Sequence, residues 1–129
     1  MQAELADLAS ATVGQIAIPV HDLARSTAFY RDVLGFALQF EVPGRMAFFD
    51  CGGVRLMLAV PEPEFDHPPS IVYFRVSDIE AVHVTLRSRG VTFRRDPHRL
   101  ADMGTHELWM AFFVDAEGSV LALMSERPK

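Results

Sequence analysis

Asp50–Leu58 reads DCGGVRLML and Asp115–Leu123 reads DAEGSVLAL, one Asp-x-x-Gly-x-x-Leu-x-Leu frame written twice with different fillings. Outward from it a second echo appears: QIAIPVHDL at 15–23 aligns with IVYFRVSDI at 71–79, apolar residues alternating up to Val-x-Asp and then Leu or Ile. Period-two alternation predicts a strand, and the Asp that follows, Asp22 or Asp78, is suited to cap the helix after it. The helices are predicted over 23–34 and 79–89, each stopping at a glycine, Gly35 or Gly90. β-rich sequence comes next: 36–42, 46–50 and 54–60 in the first half, then 91–94, 106–114 and 119–124 in the second. The plan is β-α-β-β-β, twice, and the repeated Asp-x-x-Gly is the tight turn joining the last two strands of each half. Gly53 and Gly118 are expected there at positive φ.

The modules span about 13–60 and 70–125 of a single domain, 1–129. Between them PEPEFDHPP, 61–69, holds four prolines that can continue neither ladder nor helix, and it reads as a linker. With 129 residues, half of them hydrophobic, the chain can build a core that buries roughly two thirds of its unfolded surface. Its formal charge of -5 opposes a phosphate backbone, and no apolar run approaches the roughly 18 residues a bilayer crossing needs. Nucleic acid and membrane are therefore not expected as partners. Cys51 has no cysteine partner, and the start MQAELADLAS has no basic-then-apolar leader pattern, so a reducing cytoplasm is the expected location.

Strand phase divides the side chains between two faces. Ile16, Ile18, Val20, Leu56 and Leu58, with Val72, Phe74, Val76, Leu121 and Leu123, are assigned to the side covered by the helices. Gln15, Arg55, Met57, Ile71, Tyr73, Arg75, Ala122 and Met124 are left for an open, concave side. Trp109 lies in HELWMAFF, where neither face is polar after His106 and Glu107, so periodicity does not tell a core indole from a stacking platform for a ligand. Phe48, Phe49, Phe112 and Phe113 are assigned to the core.

DLARSTAFYRDVLGF at 22–36, through Asp22, Phe29-Tyr30 and Leu34-Gly35-Phe36, together with DAEGSVLALM at 115–124, resembles the vicinal oxygen chelate superfamily, the glyoxalase/bleomycin-resistance/dioxygenase group. The likeness runs from about residue 13 to 125. It implies an α+β fold of two βαβββ modules forming a half-open, curled, mixed-sheet barrel with helices outside, in which enzymes of the group hold a divalent metal. Carried over position by position, the usual first-strand His falls on Gln15 and Ile71, and the usual Glu of the last strands on Met57 and Ala122. Only Gln15 offers an oxygen, so no metal and no cofactor are expected.

The implied function is metal-independent binding of a small molecule, an aromatic natural product or drug as in the bleomycin-resistance branch. Its contacts are expected at Gln15, Arg55, Met57, Ile71, Tyr73, Arg75, Trp109, Ala122 and Met124, with a homodimer as the expected assembly. The alternative is a lyase, isomerase or hydrolase using His106, Glu107 or Tyr73 for proton transfer, with or without a non-standard metal at His98 and His106.

Overall fold

The structure, a computed structural model, describes residues 6–129. Each half folds as the repeat dictates. The first contains β1 (Gln15–Pro19), α1 (Leu23–Ala28), β2 (Leu38–Val42), β3 (Met46–Cys51) and β4 (Val54–Ala59). The second contains β5 (Val72–Arg75), α2 (Ile79–Ser88), β6 (Phe93–Asp102), β7 (His106–Val114) and β8 (Val120–Pro128). Both sheets are mixed and four-stranded, ordered β1-β4-β3-β2 and β5-β8-β7-β6, with the first strand of each module parallel to the last; neither closes into a barrel.

The caps are the expected ones. Asp22 accepts from the Arg25 backbone N–H and Asp78 from that of Ala81, each at 3.1 Å. α1 passes at Phe29–Val33 into a wider π turn, in which Leu34 N–H donates to Phe29 O at 3.0 Å. This turn ends at Gly35, φ 87°, and sends Tyr30 wholly into the core. The first hairpin closes on two residues, Gly52 and Gly53, both at positive φ, so that Cys51 pairs with Val54. In the second, Asp115 Oδ1 accepts from the N–H groups of Glu117 and Ser119 at 2.9 and 3.0 Å, with Gly118 at φ 83°.

Ile18, Val20, Phe49, Leu56 and Leu58 of the first sheet and Phe74, Phe113, Leu121 and Leu123 of the second form one buried cluster with Tyr30, Ile79 and Leu86. Phe36 and Phe74 bridge the modules with ring centroids 5.2 Å apart. The Tyr30 hydroxyl donates to Asp115 Oδ2 at 2.8 Å, also across the modules. Burial, reinforced by that carboxylate, pushes the phenol far above its ordinary pKa, so it stays a donor. The helix-bearing sides of both sheets thus share one core, and the open face of each sheet is the side turned from it.

Two strands outrun their sequence signals. β6 continues to Asp102 although its register slips between Phe93 and Arg95, Arg95 and His98, and Arg99 and Ala101; each slip breaks the period-two pattern that would mark the strand in the sequence. Its edge position also tolerates Pro97. β8 continues past Met124 to Pro128, following β7 down to His106.

Candidate ligand-binding site

Hairpin register decides which side chains reach each open face. Because Cys51 opposes Val54, Phe49 meets Leu56 on the core side and Phe48 meets Met57 on the open side; β1 lays Gln15 beside Arg55 and Ala17 beside Met57. The Gln15 Nε2 donor lies 3.5 Å from Met57 Sδ, so two of the positions matched to metal ligands do converge. The Arg55 guanidinium carbon stands 5.3 Å from the Phe48 centroid, a cation–π contact, and Phe40, 62% exposed, borders the same ring at 6.1 Å. Ala17, Met46, Met57 and Ala59 floor a cleft of about 360 Å³ on this face.

On the second sheet Tyr73 opposes Ala122, Arg75 opposes Met124, and β7 adds Met110 and Phe112. Tyr73, 43% exposed, meets Phe112 edge-on at 6.0 Å, and the His98 ring lies 6.5 Å from Phe112 on its other flank. Beside these rings Arg75 reaches Glu126 Oε1 at 3.4 Å, while His106 Nε2 is 3.8 Å from Glu126 Oε2. Thr105 Oγ1 lies 3.0 Å from His106 Nδ1. Glu126 was not among the sequence-derived candidates. Its signal was its phase with Ala122 and Met124, hidden because the strand was expected to stop at residue 124.

Phe48 and Phe112, assigned to the core by aromatic base rate, are half-buried residues of the open faces; Phe49 and Phe113 are core. Trp109 stands on the other side from the expected platform. It opposes Ser125 in phase with Ala111 and Phe113, packs against the core, and is covered by Arg127, whose guanidinium carbon is 4.1 Å from its ring centroid. Its Nε1 donates to Glu107 Oε1 at 3.3 Å. That bond, with Arg99 at 3.2 Å, holds the Glu107 carboxyl below its usual range, so Glu107 is an ionised partner on the helix side, out of reach of either open face. Ala122 has the expected phase yet no exposed surface, lying between Tyr73 and Phe112 in register. Ile71, one residue before β5, is 44% exposed.

His98 opposes Met110, four positions along β7 from His106, about 13 Å at the usual strand rise. The two imidazoles therefore cannot share an ion. Gln15, Met57, Ile71 and Ala122 supply one amide oxygen and one thioether, a donor set that does not fit the hard divalent ion held in metalloenzymes of this fold. Among the described residues, no group of three or more His, Cys, Asp or Glu side chains gathers as a ligand set. Cys51 is no better as a nucleophile, since burial, with Asp50 beside it, pushes its thiol pKa up.

Paired βαβββ modules with open faces at the matched metal positions define a class, and the sequence places the chain in it. Residues 12–123 match the model of the Glyoxalase/Bleomycin resistance protein/Dioxygenase superfamily, and the chain belongs to that family. Comparison with curated protein sequences returns no match. Among solved structures it is similar to TnmS3, an antibiotic binding protein from Streptomyces sp. CB03234, at 25% identity over 95% of this chain and 100% of that one, with a TM-score of 0.74. A lactoylglutathione lyase from Agrobacterium tumefaciens shares the fold at 20% identity, covering 89% and 93% of the two chains, TM-score 0.72. So does a glyoxalase/bleomycin resistance protein/dioxygenase from Alicyclobacillus acidocaldarius, at 22%, 90% and 92%, TM-score 0.71. Among the described residues, no helix is long and apolar enough to cross a membrane.

Proposed function

We propose that this protein binds and sequesters an aromatic natural product or drug without a metal, in a hollow completed by a second copy of the chain. The observation that carries the reading is the Gln15–Met57 contact: where metalloenzymes of the fold keep hard ligands, an amide donates to a thioether. Each open face is turned from the shared core, so each is half a hollow. The first sheet of one protomer set against the second sheet of its partner would bring Gln15, Arg55 and Met57 opposite Tyr73, Arg75 and Met124. Apolar burial and ring stacking supply affinity in such a site, and the few polar groups fix orientation. Similarity to an antibiotic binding protein supports the ligand class, and the solitary thiol Cys51 suits a reducing cytoplasm.

Calorimetric titration with a panel of polycyclic aromatic antibiotics, with and without a chelator, tests the reading. Saturable binding of one ligand per protomer, unchanged by chelator, is expected. Binding abolished by chelator overturns metal independence, and full affinity in a species that sediments as a monomer overturns the shared hollow.

One observation favours a second reading, a lyase, isomerase or hydrolase. The Arg75–Glu126–His106 chain resembles the way a carboxylate orients a general base. On that reading His106→Ala abolishes turnover of a substrate while leaving its affinity in place.

A further inference from the structure

The linker does more than connect. Pro63–Phe65 makes one 3₁₀ turn, with Phe65 N–H donating to Glu62 O at 2.9 Å, and the chain then runs along the open face of the first sheet. Val60, Pro61, Phe65 and His67 form the side of the 360 Å³ cleft whose floor is Met46, Met57, Ala17 and Ala59. The segment is held at both ends. Val60 N–H donates to Arg45 O at 3.0 Å, and Asp66 Oδ2 lies 3.5 Å from His21 Nε2. His21 is anchored in turn by Glu117, whose carboxylate accepts its backbone N–H at 2.8 Å.

Arg45 and Glu62 also line the cleft, and His67 gives it an acceptor whose orientation is fixed. His67 Nδ1 lies 2.8 Å from Phe65 O; a carbonyl only accepts, so Nδ1 carries the proton and, in the neutral ring, Nε2 keeps its lone pair. The volume is at the lower end for small-molecule pockets, enough for one aromatic portion of a ligand. Thioethers on the floor and a phenyl ring at the side favour a flat, polarisable group. We infer that the linker is the outer wall of a subsite for a hydroxylated aromatic ring, which packs between Phe65 and the Met46 and Met57 thioethers and donates its hydroxyl proton to His67 Nε2. This inference rests on the binding-protein reading, and names Phe65 and His67 as specificity-determining residues.

2-Naphthol and 2-methoxynaphthalene are matched probes, since methylation removes only the donor. The wild type is expected to bind 2-naphthol about tenfold more tightly by calorimetry. In His67→Ala, an exposed position whose loss leaves the circular dichroism spectrum unchanged, that preference collapses toward unity, whereas Phe65→Ala weakens both probes alike. Equal affinity of the wild type for the two probes, a preference that survives His67→Ala, or no binding of either would overturn the subsite. The antibiotic panel separates the two ideas. Panel ligands that bind while the naphthalene pair behaves in one of those ways sink the subsite alone; failure of the whole panel removes the binding-protein reading beneath it.

Discussion

On the first sheet the open face offers Met46, Met57 and Phe48, with Gln15 and Arg55 as polar company and the linker as a side wall. On the second, Tyr73 and Phe112 share their face with Arg75, Glu126, His106 and His98. Both halves follow one β-α-β-β-β plan, and the buried cluster they share is built of aliphatics and aromatics. The outward residues have diverged. One half is adaptable and nearly uncharged at its floor; the other holds a carboxylate between a guanidinium and an imidazole. Core packing constrains one side of each strand in common, while the other side is free to take on separate tasks.

The sharpest way to break this comparison is to put the same acid at the matched slot of each half. Ala122 is fully covered between two rings, so Ala122→Glu must both overpack and bury a charge; a loss of roughly 4 kcal/mol of unfolding free energy, or no folding, is expected. Met57 opens onto a cleft, so Met57→Glu is expected to cost less than about 1 kcal/mol in stability while weakening an aromatic ligand about tenfold, ~1.4 kcal/mol. Urea denaturation beside calorimetry distinguishes the two, and equal stability losses would mean the halves are open to the same degree.

A second contrast lies in the hairpin aspartates. Asp115→Ala removes the acceptor of Tyr30 and of two backbone N–H groups, leaving a buried hydroxyl unpaired, and is expected to cost about 3 kcal/mol. Asp50→Ala removes one exposed contact, to Gly53 N–H at 3.3 Å, and should cost about 0.5 kcal/mol. Similar shifts in the urea midpoint would show that the two aspartates do equal work despite their different hairpin loops.

The smallest effect concerns the joint between linker and modules. Hydrogen bonding with Asp66 and then Glu117, with their negative charges adding, raises the His21 pKa above 6.5. A raised folded-state pKa means the folded protein binds the proton more tightly. The contribution is therefore present in full below about pH 6.5 and lost as pH climbs through the raised value. Glu117 stays ionised across this window: burial alone would raise its pKa, but the N–H groups of Asp22 and His21 and the Ser26 hydroxyl draw it below the usual range. The wild type should lose slightly more melting temperature than His21→Gln between pH 6 and pH 8; parallel curves would show that the imidazole contributes nothing to the joint.

The architecture was legible in the sequence because it was written twice. Two echoes and four element ends marked by Asp or Gly fixed the module plan, and strand phase sorted Ile18, Leu56, Leu58, Leu121 and Leu123 to the core and Gln15, Met57, Tyr73 and Arg75 to the open faces. Features that depend on register between strands were harder to read. The side left open for Trp109 is settled as the core, and Phe112 takes the open face, once Val114 pairs with Val120 across the second hairpin, a fact about loop length and not about either residue. The bulges of β6 break any regular period around His98, and the tail of β8, though in register, is too polar in sequence to mark Glu126 as part of a strand. At 61–69 the four prolines speak against a ladder or a long helix, and the structure has only the 3₁₀ turn Pro63–Phe65 there; composition says nothing of where such a segment comes to rest.

Two half-hollows, one in each module of a chain, have a consequence for mixtures. In a twofold pair each complete site would draw its adaptable half from one polypeptide and its charged half from the other. Combining a protein damaged only in the first module with one damaged only in the second would then place both lesions in a single hollow and leave the other whole. Two inactive preparations, mixed and allowed to exchange subunits, would recover binding, a complementation that a site contained within one chain could never produce.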